Sequence, residues 1–162
     1  MPSSMPILPP VVPPGLTHVV DLAVDLGPVL DIGMTPAGRR RIVPIIGGRA
    51  EGPRLRGVIL DLGADWQVLG GDGVTGIDTR YGIETEDGAL IDIRNPGVRV
   101  ASPDVAARLL AGQAVDPSEY YFRTTPRLFC TDPRYSWVND RIFVGVGERH
   151  AAQVVMRIFE VA

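Results

Sequence analysis

The sequence predicts a mostly-β protein: one antiparallel β-barrel of about nine or ten strands, with one short helix near residues 103–111. Two observations carry this. Nineteen Gly and fifteen Pro are spread between short apolar runs over 162 residues, which is the punctuation of short strands and tight turns. Only one segment carries a full set of helix signals. No internal repeat or linker divides the chain, so residues 1–15 read as a Pro-rich arm and residues 16–162 as a single barrel domain.

The arm, MPSSMPILPPVVPPGL up to Leu16, suits extended polyproline II or loose chain. It lacks the basic start and unbroken apolar stretch of a signal peptide. Leu16 to Leu26 alternates as a strand, and Gly33 to Gly38 reads as a turn or loop. Arg39 to Ile46 is a second strand, with Pro44 marking it as an edge or bulged one. Gly47-Gly48 and Gly52-Pro53 bracket another loop. Arg54 to Leu60 and Asp65 to Leu69 follow as strands.

Val74 to Asn95 is the clearest hairpin, turning at Glu86-Asp87-Gly88. A three-residue loop with Gly88 in the left-handed region puts Ile77, Tyr81, Ile83, Ala89, Ile91 and Ile93 on one face. Asp78, Arg80, Glu84, Asp92 and Arg94 then share the other. A slip by one residue would mix the two sets. Ser102-Pro103-Asp104 opens the helix with a cap, a first-turn Pro and a charge that suits the dipole, and Gly112 stops it. Strands follow at Glu119 to Thr125, Arg127 to Thr131, Arg141 to Val146 and Gln153 to Val161, with a turn on Asn139-Asp140 before the third.

Composition excludes several classes of chemistry. All sixteen basic residues are Arg, so no side-chain amine exists for a Schiff base, and no P-loop Lys for a nucleotide phosphate. The net charge is -3, with no clustered positive footprint for nucleic acid. Cys130 is the single cysteine and reads as a buried thiol. His18 and His150 stand far apart, with no metal-ligand spacing. No apolar run reaches membrane-spanning length. The expectations are a cytoplasmic protein with no cofactor, no metal, no nucleic-acid partner and no membrane partner, and a homodimer by default.

Four segments could carry chemistry. In Gly63-Ala64-Asp65-Trp66, Asp65 is either a general base with Trp66 as an apolar wall, or a turn carboxylate bonding its own backbone. In Asp78-Thr79-Arg80-Tyr81, Arg80 polarises a ligand oxygen if its face looks into the barrel. If it looks out, it joins a solvated charge ladder. In Tyr120 to Thr125, Tyr121 and Arg123 share one face, as donor and cation or as wall and surface groups. In Tyr135 to Asp140, Trp137 and Asn139 lie in a turn that Asn139 either caps or leaves to address a ligand. No GxGxxG in a βαβ setting and no GxSxG elbow is present.

The order of several segments resembles the DUF3237 family, also called UPF0311. They are Thr35-Pro36-Ala37-Gly38-Arg39, Val43-Pro44-Ile45-Ile46-Gly47-Gly48, Glu51-Gly52-Pro53, Gly63-Ala64-Asp65-Trp66, Asp78-Thr79-Arg80-Tyr81, Tyr121-Phe122-Arg123, Tyr135-Ser136-Trp137-Val138-Asn139 and Ile142-Phe143-Val144-Gly145. The resemblance implies an antiparallel barrel with an interior cavity, and it points to accessory proteins of aromatic and carbonyl-compound catabolism. On that basis the sequence is expected to be a cofactor-independent lyase or isomerase for a small organic carbonyl compound. The most concrete form is a hydratase of an α,β-unsaturated lactone or cyclic enone. Asp65, Arg80, Tyr121 and Arg123 would be catalytic; Trp66, Tyr81, Trp137 and Asn139 would bind substrate. The alternative is a non-catalytic small-molecule binding protein.

Overall fold

The structure, a computed structural model, describes residues 3–162. Eleven strands form one antiparallel sheet: β1 (Leu16–Leu26), β2 (Leu30–Thr35), β3 (Gly38–Glu51), β4 (Arg56–Ile59), β5 (Ala64–Leu69), β6 (Val74–Thr85), β7 (Leu90–Val100), β8 (Tyr121–Thr124), β9 (Arg127–Phe129), β10 (Phe143–Arg149) and β11 (Gln153–Val161). Eight of them close in the order β1-β3-β5-β6-β7-β8-β10-β11, with β11 returning to β1. Closure removes the exposed edges that an open sheet of this size would offer. The short strands β2, β4 and β9 pair the stretches of β3, β6 and β7 that the ring strands do not reach. Residues 3–15 form no helix or strand and are exposed.

The expected barrel is thus present, and β1 and β11 have the expected bounds. The hairpin also has the expected register. Ile83 pairs Ile91 and Tyr81 pairs Ile93. The Thr85 N–H donates to the Ala89 carbonyl across Glu86-Asp87-Gly88, and Gly88 has φ 87°. The helix α1 (Pro103–Leu110) begins where expected, with the Ser102 hydroxyl accepting from the Val105 N–H.

Three expectations change. Gly33 to Gly38, read as a turn or loop, is a turn only at Pro36-Ala37: Gly33 to Thr35 belong to β2 and Gly38 opens β3. A register shift between Asp31 and Gly33 breaks its alternation, and Leu30, Ile32 and Met34 face solvent. The second strand is not an edge: β3 runs fourteen residues, Gly38–Glu51, with partners on both sides. Pro44 sits where β3 exchanges β2 for β1 as its neighbour, so its missing N–H breaks no ladder bond there, while its carbonyl accepts from Gly27. The expected bulge lies alongside, where Asp25 pairs Gly47 and Leu26 pairs Ile45. Gly47-Gly48 is strand and not loop. A Cβ on Gly48 would sit 2.1 Å from the Ala23 carbonyl oxygen, so only Gly lets β1 and β3 approach here.

The barrel interior is graded along its axis. One end is apolar, filled by Leu22, Ile83, Ile91, Ile93, Ile158 and Phe143, each under 2 % exposed. Toward the other end the inward positions become polar. Thr79 pairs Asn95, and Thr75 pairs Arg99. Asp65 and Gln67 enter from β5, Arg41 from β3 and Arg149 from β10. The helix α1 lies over this polar end, burying Val105 and Leu109.

Candidate functional site

Period-two geometry decides which side chains enter the barrel. On β5, Asp65 and Gln67 point in, and Trp66 between them points out. On β6 and β7 the same parity that buries Tyr81, Ile83, Ile91 and Ile93 also buries Asn95 and Arg99. Asp65, Gln67, Tyr81 and Asn95 border a cavity of about 30 Å3, enough for a water or two. Its wall is largely apolar, with Val43, Ile45, Ile77, Phe122 and Met156, and its polar atoms come from Asp65, Gln67, Thr79, Tyr81, Asn95 and Arg149.

Asp65 is the only buried carboxylate among the described residues. Its Oδ2 accepts from Gln67 Nε2 at 2.7 Å, and its Oδ1 from the Asp78 N–H at 3.1 Å. The Gln67 Oε1 accepts in turn from Arg41 Nη2 at 2.6 Å. Burial raises the Asp65 pKa above its ordinary value, and the hydrogen bonds from Gln67, Thr79 and Asp78 only partly offset this. Burial lowers the pKa of all three inner arginines, that of Arg99 to about 10; Arg99 is lowered further by Arg149 and Arg41, and Arg149 by Arg41. The Tyr81 Oη and Asn95 Oδ1 are buried without a hydrogen-bond partner, as is Arg41 Nε. Buried polar atoms without partners are uncommon and costly, and two of these three border one cavity. Among the described residues no group of three or more His, Cys, Asp or Glu side chains could hold a metal ion.

The expected site residues divide. Asp65 and Tyr81 meet inside the barrel. The other six lie elsewhere. Arg80 is on the outer face, paired with Asp92 at 2.8 Å, and Arg94 pairs Asp78 beside it. Tyr121 and Arg123 also face outward, with the Arg123 guanidinium 5.0 Å from the Tyr121 ring. Trp66 is half-exposed in an outer groove beside Leu60 and Leu62. Trp137 lies in a 3-10 turn, Ser136–Asp140, stacked 3.6 Å from the Arg54 guanidinium and against Phe143. The Asn139 side chain caps that turn. Its Oδ1 accepts from the Cys130 N–H, and its Nδ2 donates to the Cys130 and Ser136 carbonyls. Arg41, Gln67, Asn95, Arg99 and Arg149 were not among the expected residues. For Asn95 and Arg99 the signal was available, since both continue the hairpin's buried parity.

Fold and interior together define a class: a closed antiparallel barrel with an apolar pocket holding one carboxylate, several guanidiniums and unpartnered polar atoms. No helix of the described residues is long and apolar enough to cross a membrane. Residues 14–161 match the family described as a protein of unknown function, DUF3237, and the chain belongs to it. A UPF0311 protein of Rhodopseudomonas palustris (strain TIE-1) is 35% identical over 144 residues, 89% of this chain and 94% of the relative. A β-barrel-like protein of Acinetobacter baumannii AYE, solved as a crystal structure, is 41% identical with a TM-score of 0.83, over 96% of this chain and 99% of that one. A crystal structure of an enzyme from Penicillium herquei has the same fold at 19% identity, with a TM-score of 0.69 over 94% of this chain and 99% of that one.

Proposed function

We propose that this protein is a cofactor-independent lyase or isomerase acting on a small organic carbonyl compound. Its most concrete form is a hydratase adding water to an α,β-unsaturated lactone or cyclic enone. The observation that carries the reading is one cavity bordered by a desolvated carboxylate and two unpartnered polar atoms, Tyr81 Oη and Asn95 Oδ1. A carboxylate with a raised pKa is suited to proton transfer near neutral pH. That the Penicillium herquei enzyme shares the fold is compatible with catalysis on such a barrel.

In this mechanism water donates one hydrogen bond to Asp65 and the other to Asn95 Oδ1. Asp65 takes a proton as the water oxygen bonds to the β-carbon. The C=C π electrons shift toward the carbonyl, leaving an enolate whose oxygen receives the Tyr81 hydroxyl and the Arg149 guanidinium. The α-carbon then takes the proton from Asp65, which returns to the carboxylate. One C=C π bond and one O–H bond break; one C–O and one C–H bond form. A ring-sized substrate exceeds the 30 Å3 cavity. Binding therefore displaces the Arg41–Gln67 contact, which separates this space from one of about 150 Å3 beneath α1.

A second reading also has a specific support. Both Asp65 carboxylate oxygens already have protein donors, as a structural carboxylate would, so the pocket would serve a non-catalytic carrier. Incubation of a panel of enones and butenolides in H2(18)O separates the two. Labelled hydroxy product from wild type, lost in Asp65→Asn while binding persists, supports the hydratase. Binding without product in both proteins assigns the carrier.

A further inference from the structure

We infer that the pocket's ligand is a small organic acid, held through its carboxylate between Arg41 and Arg99 beneath α1. The inference rests on the pocket proposed above for catalysis and not on the chemistry proposed there. Its basis is how the sixteen arginines find partners. Nine of them form ion pairs with carboxylates: Arg39, Arg49, Arg54, Arg80, Arg94, Arg108, Arg134, Arg141 and Arg157. Arg40, Arg56, Arg123 and Arg127 have no such pair but are exposed, where water serves them. That leaves Arg41, Arg99 and Arg149, and these are the three that point into the polar end of the barrel.

Their local hydrogen bonds are unequal. Arg41 donates to Gln67, and Arg149 donates to the His150 and Gln153 carbonyls. Arg99 is 8% exposed and makes no side-chain hydrogen bond among the described residues; its guanidinium lies 5.8 Å from the Phe122 ring centre. Three guanidiniums face one inner carboxylate, Asp65, which has no ion pair with any of them. Burying a charge without a counter-charge costs several kcal/mol in general, and lost hydration on all three is the cause of their weakened proton affinity. A bound anion would remove that cost. The space between Arg41 and Arg99 is about 150 Å3 and is otherwise lined by Gly73, Thr75 and the aliphatic Leu69, Ala101, Ala106, Ala107 and Leu110. Two planar donor forks suit a carboxylate, and the aliphatic walls suit an organic body. That body reaches past Gln67 toward Asp65, where the adjoining cavity is again largely apolar.

Calorimetry and thermal melting of the full chain test this with but-2-enoate and benzoate, their neutral amides, and inorganic phosphate. Each carboxylate is expected to bind about ten-fold or more tightly than its amide, and to raise the melting temperature. Arg99→Met is expected to erase the preference, Arg99→Lys to reduce it, and Arg94→Met on the outer face to leave it intact. Equal binding of acids and amides, no binding of either acid, or an unchanged preference in both Arg99 variants overturns the inference. Phosphate binding more tightly than both acids overturns it in favour of an inorganic-anion site. Carboxylate preference with no water addition to any enone would leave this inference standing and remove the hydratase. Turnover of neutral lactones without carboxylate preference would do the reverse.

Discussion

The inner and outer faces of the barrel wall use the same two residue types in opposite ways. Outside, Arg80 and Asp92, Arg94 and Asp78, and Arg157 and Asp21 pair across neighbouring strands. Asp21 and Asp31 there are lowered in pKa, and Arg39, Arg80 and Arg157 are raised. Inside, Asp65 is raised, and Arg41, Arg99 and Arg149 are lowered. The first pattern is what pairing in water produces, and such exposed pairs contribute little. The second is what desolvation without pairing produces. Desolvated charges without partners mark a candidate functional site, and here they lie on the inner side.

The largest expected break in this contrast is Asp65→Asn. Water addition should fall by about 10²–10⁴-fold, the usual contribution of a positioned acid–base group, read as labelled product per unit time. Arg99→Met should raise unfolding free energy by roughly 1–3 kcal/mol in denaturant melts, because an unpaired inner charge is exchanged for an apolar side chain of similar length. A loss of that size would mean that Arg99 holds the fold together.

The third prediction concerns pH. The Asp65 pKa is raised above its ordinary value of 3.8, so between 3.8 and its folded value the native state holds more protons than the unfolded chain. Its contribution is therefore greatest in acid and declines as pH climbs through the folded pKa. The stability of wild type minus that of Asp65→Asn should fall with rising pH over this window; a rise would reverse the burial argument. Asp132, part-buried and bonded by Arg134, is held down at about 2. Its contribution is lost in the opposite direction, as pH falls from 3.8 through about 2. The smallest effect is expected for Arg94→Ala on the outer face. It should change stability by no more than about 0.5 kcal/mol, and less at high salt, with catalysis unaltered.

Local chemistry made much of the fold legible. The cap at Ser102, the loop of Glu86-Asp87-Gly88 and the alternation of β1 each depend on neighbours a few residues apart. The full length of β3 was not legible, because its partners change from β2 to β1 midway and only the closed sheet shows that exchange. For the candidate site, facing residues were grouped correctly but the inward face was misassigned. Tyr121 and Arg123 share a face, yet Phe122 and Thr124 are the pair that enters. Arg99 was masked by its neighbours: Val98 and Val100 look like the inward pair, and both are outward. Hydrophobicity alone fails where a pocket requires charge inside. The hairpin register, carried four residues further along β7 from Asn95, would have reached Arg99.

The strand β3 pairs with β1, β2, β4 and β5, and so belongs to both walls that meet at Pro44. Neither wall can peel away while β3 stays in place. The barrel should therefore open as one cooperative unit, and the β3 amides should exchange with solvent deuterium only at the rate of global unfolding. Side chains such as Arg41 can then shift on a backbone that stays in place.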